Sequence, residues 1–231
     1  MENKLSAFFI FLCLFFSVQT AFPATVLERT RLIVESSNNI TTLRIMSRDS
    51  QPVLIQSWVD SGNSESQPGD DDSPFLVTPP VARLNPGASQ SLAVRVTDNH
   101  QLPQNQESMF WLNVLEIPVK NQTGPNENIF QAAFKTRIKL FYRPHTVNKP
   151  VSATDAICLS GGSLVNKSPN YYSVTDIRFL KPDNKNGSIS SVDIIAPYKN
   201  VSLGNIGSVD SALLSWIDDD GLFKTDRLLK C

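Results

Sequence analysis

Apolar residues recur along the chain in short alternating runs set between turn signals, and no stretch of useful length keeps the spacing of a helix face. Seven such runs predict strands in the first half: Thr25–Val34, Thr41–Ser47, Pro52–Val59, Phe75–Thr78, Ser91–Thr97, Ser108–Ile117 and Ile129–Tyr142. In the second of these, Leu43, Ile45 and Ser47 alternate with Thr42, Arg44 and Met46. Asp60 to Ser73, rich in Ser, Gly and Asp, predicts an exposed loop, and Asn85-Pro86-Gly87 a turn. Arg143-Pro144-His145 ends the seventh run, because proline cannot donate to a strand ladder. Pro144 and Pro150 then flank a polar linker. Six weaker runs follow: Leu164–Asn166, Tyr171–Leu180, Ser190–Ile195, Asn200–Leu203, Ala212–Ile217 and Phe223–Leu229. The pattern predicts an all-β chain of two immunoglobulin-like β-sandwich domains in tandem, 25–145 and 146–231.

The first 24 residues break this pattern. Lys4 precedes an apolar run, Leu5 to Phe16, too short for a comfortable membrane span, and small and polar residues follow it. The segment reads as a secretory signal cleaved after Ala21 or Ala24, with an uncleaved anchor as the alternative. Export would leave two cysteines, Cys158 and Cys231, which in an oxidising compartment either form one disulfide or stay as two thiols. A length of 231 residues suits two domains. Charge is nearly balanced in each, with 11 Lys and Arg against 12 Asp and Glu from Thr25 to His145, and 9 against 9 beyond. That balance carries none of the broad basic footprint of a nucleic-acid binder.

Enzyme signatures are poor. The two histidines, His100 and His145, fall in predicted loops, and no nucleophile elbow, zinc-protease helix or phosphate loop is found. Ser160-Gly161-Gly162-Ser163 reads as a turn. Asp218-Asp219-Asp220-Gly221 resembles part of a calcium loop, but Arg227 stands where the closing Glu belongs, so a hairpin turn is the better reading. Asp70-Asp71-Asp72 reads as a solvated loop tip. No metal, cofactor or small-molecule substrate is expected. Sequons at Asn39, Asn121, Asn166, Asn186 and Asn200 would imply glycans only in a eukaryotic secreted protein.

The informative residues form a constellation. Glu28-Arg29-Thr30-Arg31-Leu32-Ile33-Val34 opens the first domain, and Thr78-Pro79-Pro80-Val81-Ala82-Arg83-Leu84-Asn85-Pro86-Gly87 lies in its middle. Leu102 to Pro118 follows, with Glu107-Ser108-Met109-Phe110-Trp111-Leu112 within it, and Thr136 to Pro144 closes the set. In order and spacing these segments resemble the PapD-like periplasmic pilus (fimbrial) chaperones of the chaperone–usher pathway. Asn166-Lys167-Ser168-Pro169-Asn170-Tyr171-Tyr172 resembles a segment of the family's second domain, so the likeness covers both domains and is stronger in the first.

The resemblance implies two immunoglobulin-like domains at an angle, with a cleft between them. It further implies a periplasmic chaperone that binds, folds and caps pilus subunits by lending a strand and delivers them to an outer-membrane usher. The lent strand would be Ile129–Tyr142, with Phe130, Ala132 and Phe134 on one face; in an ordinary sandwich that face would be core. Ala132 departs from the large aliphatic residues usual in the family. By the same likeness Arg31 and Lys139 would bind the subunit's terminal carboxylate, and would otherwise be solvated surface cations. Glu107, Arg143 and Asp219 would form a buried inter-domain charge network. The short connection between Ile117 and Ile129 resembles the short-loop branch of the family. Cys231 resembles a cysteine of the family's final strand, whose usual nearby partner this chain lacks. A self-capping homodimer would hide the apolar lending edge. The rival readings are a secreted immunoglobulin-like structural or adhesive subunit and a secreted β-sandwich hydrolase.

Overall fold

The computed structural model of the protein describes residues 25–38, 40–70, 73–119, 132–180, 187–190, 194–207, 209 and 211–231. The predicted signal segment, Phe130, Asn39, Asn121 and Asn186 lie outside these residues. Every described element is a strand, and the strands build two sandwiches.

The first sandwich holds β1 (Thr25–Leu27), β2 (Arg31–Glu35), β3 (Ile40–Ser47), β4 (Val53–Asp60), β5 (Phe75–Thr78), β6 (Val81–Leu84), β7 (Ser89–Val96), β8 (Ser108–Pro118) and β9 (Phe134–Arg143). One sheet runs β1-β3-β7-β5 and the other β2-β9-β8-β4-β6. Alternation along each strand sends one set of side chains inward, as with Leu43 and Ile45 of β3, Leu92 and Val94 of β7, and Ile138, Leu140 and Tyr142 of β9. These meet Leu32, Val34, Val53, Ile55, Leu112 and Val114 in one core between the sheets.

Thr25–Val34, predicted as one strand, is two. Thr25–Leu27 pairs antiparallel with β3 in one sheet, and Arg31–Glu35 pairs parallel with β9 in the other. The chain crosses between sheets at residues 28–30, a change that an apolar count cannot detect. Val81–Leu84 adds an edge strand on β4. The loop prediction for Asp60 to Ser73 also needs correction. Asp60 is the buried last residue of β4, and Ser66 within the loop is buried as well.

The second sandwich contains β10 (Ile157–Ser160), β11 (Ser163–Asn166), β12 (Tyr172–Leu180), β13 (Gly187–Ser190), β14 (Ile194–Ile195), β15 (Asn200–Ser202), β16 (Ser211–Ile217) and β17 (Phe223–Leu229). Its sheets are β10-β11-β15 and β13-β12-β16-β17, with β14 also on β12. Tyr172 and Trp216 pack edge to face in its core, 5.1 Å between ring centroids. Gly161 and Gly162, both at positive φ, form the tight β10–β11 turn, where a Cβ on Gly162 would come within 2.7 Å of the Gly204 carbonyl oxygen. Cys158 of β10 and Cys231 are joined by a disulfide.

Candidate functional site

β9 is covered unequally on its two sides. Pairing with β8 extends from Phe134↔Glu116 to Ser108↔Tyr142. On the other side β2 pairs only from Arg31↔Lys139 to Glu35↔Arg143. Among the described residues no strand lies beside 134–138 on that side, so the stretch is an open sheet edge ending at Arg31. Of the strand predicted over Ile129–Tyr142, residues 129–131 lie outside the described residues; among the described ones β9 begins at Phe134, and Ala132 is half-buried and belongs to no strand. The even-numbered face runs from core to solvent along one strand. Tyr142 and Leu140 are fully buried, Ile138 nearly so, and Phe134 is 58% exposed. The proposed lending face and the first sandwich's own core are thus two ends of the same face.

The odd-numbered face carries an arrangement absent from the sequence reading. Asp60 is fully buried and accepts four donors from three segments: Arg137 Nη2 at 2.7 and 3.0 Å, Asn113 Nδ2 at 2.6 Å, Ser66 Oγ at 3.0 Å and the Gly62 amide at 2.7 Å. Trp58 Nε1 donates to Ser66 Oγ at 3.0 Å, and Lys135 Nζ to the Ser64 carbonyl at 2.5 Å. The Arg137 guanidinium lies 4.8 Å from the Trp111 ring centre, with Lys139 Nζ 5.9 Å from it. A loop that reads as merely polar is therefore fastened over β4 and β9. The available signal was an Asp at the end of an apolar strand and an Arg on the outward face of another.

Arg31 and Lys139 do come together, as Cα partners in the parallel β2–β9 pair. Arg31 is no solvated cation. It is 6% exposed, and its Nη1 donates to the Ile217 carbonyl at 2.9 Å and to Ser173 Oγ at 3.3 Å, both in the second sandwich. Burial lowers its pKa, opposed by the charges of Asp219 and Asp218. Its Nε is buried without a hydrogen-bond partner. Lys139 is half-buried. Two positive charges therefore stand side by side where the open edge of β9 ends and the two sandwiches meet.

Glu107, Arg143 and Asp219 converge between the sandwiches. Arg143 Nε donates to Glu107 at 2.6 Å, while its Nη1 and Nη2 form a two-pronged pair with Asp219 at 2.7 and 2.9 Å. Glu107 also accepts the Tyr171 amide at 2.7 Å and Asn170 Nδ2 at 3.3 Å. Burial pushes the Glu107 carboxyl above its ordinary range, opposed by Arg143 and these donors. Burial also works against the Arg143 charge, but the bonds to Asp219 and the charges of Glu107 and Asp219 outweigh it and raise its pKa. Phe141 against Tyr171, 5.7 Å between ring centres, adds an apolar contact across the same junction. Asp218–Gly221 is the β16–β17 hairpin turn: Asp218 Oδ1 accepts the amides of Asp220 and Leu222, and Gly221 sits at positive φ.

A concavity of about 740 Å³ lies away from this junction, beside the disulfide, and is lined in part by Gly161, Gly162, Gly204, Ile206 and Val209. It brings together no pair of charged groups comparable to Arg31 and Lys139. Of the sequons, Asn166 is buried, with its amide donating to the Asn170 and Ala196 carbonyls.

Comparison with known proteins points to one family. The family model described as "Pili and flagellar-assembly chaperone, PapD N-terminal domain" matches residues 24–148. The chain is 31% identical to the probable fimbrial chaperone YehC of Escherichia coli (strain K12), over 94% of this chain and 91% of that one. It is 32% identical to the chaperone protein PapD of Escherichia coli, over 89% and 86%. The crystal structure of the Pseudomonas aeruginosa CupB2 chaperone superposes with a TM-score of 0.74 at 27% identity, covering 89% of this chain and all of that one.

Proposed function

Because the chain belongs to the family of pili and flagellar-assembly chaperones, we propose that it holds pilus subunits on the open edge of β9, with the subunit's C-terminal carboxylate between Arg31 and Lys139. The observation that carries this reading is the coincidence of three features in one place. Among the described residues no strand pairs with 134–138 on one side, Phe134 stands exposed there, and two cations mark the end of that edge. A partner strand in this position gains backbone hydrogen bonds from β9, and its register fixes which side chains meet Ala132 and Phe134. Phe130 belongs to the same reading, though it lies outside the described residues.

The geometry also dictates polarity. The lane beside 134–138, which holds no strand among the described residues, continues the line of β2, and β2 runs parallel to β9. A strand in that lane reaches Arg31 with its C-terminus only if it too runs parallel to β9. Arg31, held by Ser173 and Ile217, would supply a fixed donor, and Lys139 a second charge. The Glu107–Arg143–Asp219 network would hold the two sandwiches at the angle that keeps this site formed. Periplasmic location, delivery to an outer-membrane usher and self-capping between two copies belong to the same reading. Seven strands already suffice to argue against an incomplete subunit fold, and the first sandwich has nine among the described residues.

Co-expression in a bacterial periplasm with the subunits encoded beside this chain's gene tests the reading. Subunit complexes should be recovered with the wild type and lost with Lys139→Ala. Recovery at wild-type levels from Lys139→Ala and Phe134→Asp alike would overturn it.

A further inference from the structure

Two of the most exposed large apolar residues adjoin the β16–β17 turn, one strand beyond the Ile217 carbonyl that Arg31 bonds. Leu222 is 60% exposed and Phe223, the first residue of β17, is 74% exposed. Register fixes where Phe223 points. Ser173 of β12 pairs with Ile217 of β16, and Ile217 pairs with Phe223. Directly paired residues of neighbouring strands carry their side chains on the same sheet face, with Cα atoms about 4.5–5.5 Å apart. Ser173 Oγ accepts from Arg31 Nη1, so this face is the one that looks toward Arg31. Ser173 is buried against the first sandwich, Ile217 is half-buried, and Phe223 emerges into solvent. The row thus leads from the Arg31 contact outward to an open aromatic ring. The adjoining turn is seated on the first sandwich, since a Cβ on Gly221 would lie 3.0 Å from Thr30 Oγ1.

The chemistry of this corner is therefore a buried guanidinium and a second cation beside an apolar wall. A peptide end that presents a carboxylate and, within its last two residues, an apolar side chain matches both halves. We propose that Phe223, backed by Ile217, receives an apolar side chain from the last two residues of the bound subunit and selects subunits by that side chain. The proposal rests on the reading of Arg31 and Lys139 as the carboxylate site. It commits the exposed ring to the strand that occupies the lane beside β9, whose end must lie at Arg31.

The probes are synthetic peptides of alternating valine and threonine with a free C-terminal carboxylate. They differ in the last two residues, apolar in one and serine in the other, and each is also made with an amidated end. Binding is measured by calorimetry to the wild type, Lys139→Ala and Phe223→Ser. Phe223→Ser should keep the wild-type melting temperature, because its ring is largely solvated. It should weaken the apolar-ended peptide about tenfold and leave the serine-ended one within about twofold. Equal losses for both peptides, or none for either, overturn the proposal. If amidation and Lys139→Ala change nothing, the carboxylate site itself fails, and this inference with it. If they weaken binding while Phe223→Ser does not, only the selecting role of Phe223 fails. Sedimentation of the free protein covers the remaining occupant: self-association abolished by Phe223→Ser, with peptide binding intact, would assign the ring to a second copy of the chain instead.

Discussion

Arg31 and Lys139 face each other as partners in a parallel strand pair, and Arg31 is the residue at which cover over the edge of β9 stops. They are unequal partners. Arg31 is buried and bonded to the second sandwich through Ser173 and Ile217, while Lys139 is half-buried beside Trp111.

That asymmetry separates two variants with the same expected effect on subunit binding. Both Arg31→Ala and Lys139→Ala should fail to accumulate subunit complexes. Arg31→Ala should also cost about 1.5–3 kcal/mol of stability, the worth of a charge-assisted hydrogen bond, because two acceptors across the junction lose their donor. Lys139→Ala should cost less. Urea denaturation of the two purified variants against the wild type measures the difference, and equal stabilities would contradict the Arg31 contacts.

The single face of β9 gives a second pair of variants. Phe134→Asp places a charge on a side chain that is already 58% exposed, so folding should be unaffected and subunit complexes lost. Ile138→Asp, two turns of the pleat along the same face, puts an unpaired carboxylate into the core and should prevent accumulation of soluble protein. Yield and circular dichroism from parallel periplasmic preparations distinguish them.

Asp60 is the hub of a buried polar network, and removing its carboxylate takes the shortest acceptor from Arg137 and Asn113 and the acceptor of the Ser66 hydroxyl. Asp60→Ala should destabilise the protein by about 3–5 kcal/mol, as breaking a buried ion pair from one side does. Because Lys135 and Arg137 are fastened through this loop, amide exchange should accelerate first in 61–70 and 134–138. Hydrogen-exchange mass spectrometry reads both segments, and a uniform increase across the first sandwich would refute the local role.

Glu107 makes stability depend on pH in a definite direction. Burial raises its native pKa above the ordinary 4.5, so the native state binds more protons than the unfolded chain in the window just above that value. Its contribution is full below pH 4.5 and declines as pH rises through the native pKa. Glu107→Gln cannot titrate. The stability of the wild type relative to Glu107→Gln should therefore fall as pH rises above 4.5, measured by urea titrations at four pH values. A constant difference would mean that Glu107 titrates alike in both states.

Much of the β architecture was legible because apolar alternation is a local property. β3, β4, β7, β8 and β16 lie within a residue or two of their predicted bounds. The sheet switch between Leu27 and Arg31 was not legible, because both halves of that run are apolar and only the partner strands differ. Ile157–Ser160 escaped notice as a strand, masked by the Gly-Gly turn that follows it. At the site, motif likeness led to Arg31, Lys139, Glu107, Arg143 and Asp219. It could not reveal that Arg31 is buried, since Ser173 and Ile217 arrive from the other sandwich. Asp60 and Arg137 were unreadable as a pair for the same reason: their contact exists only across adjacent strands. Phe223 gave no signal beyond its apolar character, because its importance comes from the row it completes.

The gradient along β9 makes this strand a fixed stem with an interchangeable tip. From Ile138 onward its even-numbered side chains are locked into the first sandwich's core and cannot vary without repacking it. At Phe134 the same face has left that core. If the tip holds the client as proposed, its residues can be rewritten to suit a different one while the stem, and the scaffold built on it, stays as it is. Retargeting such a protein would be a matter of grafting a few residues rather than redesigning a domain.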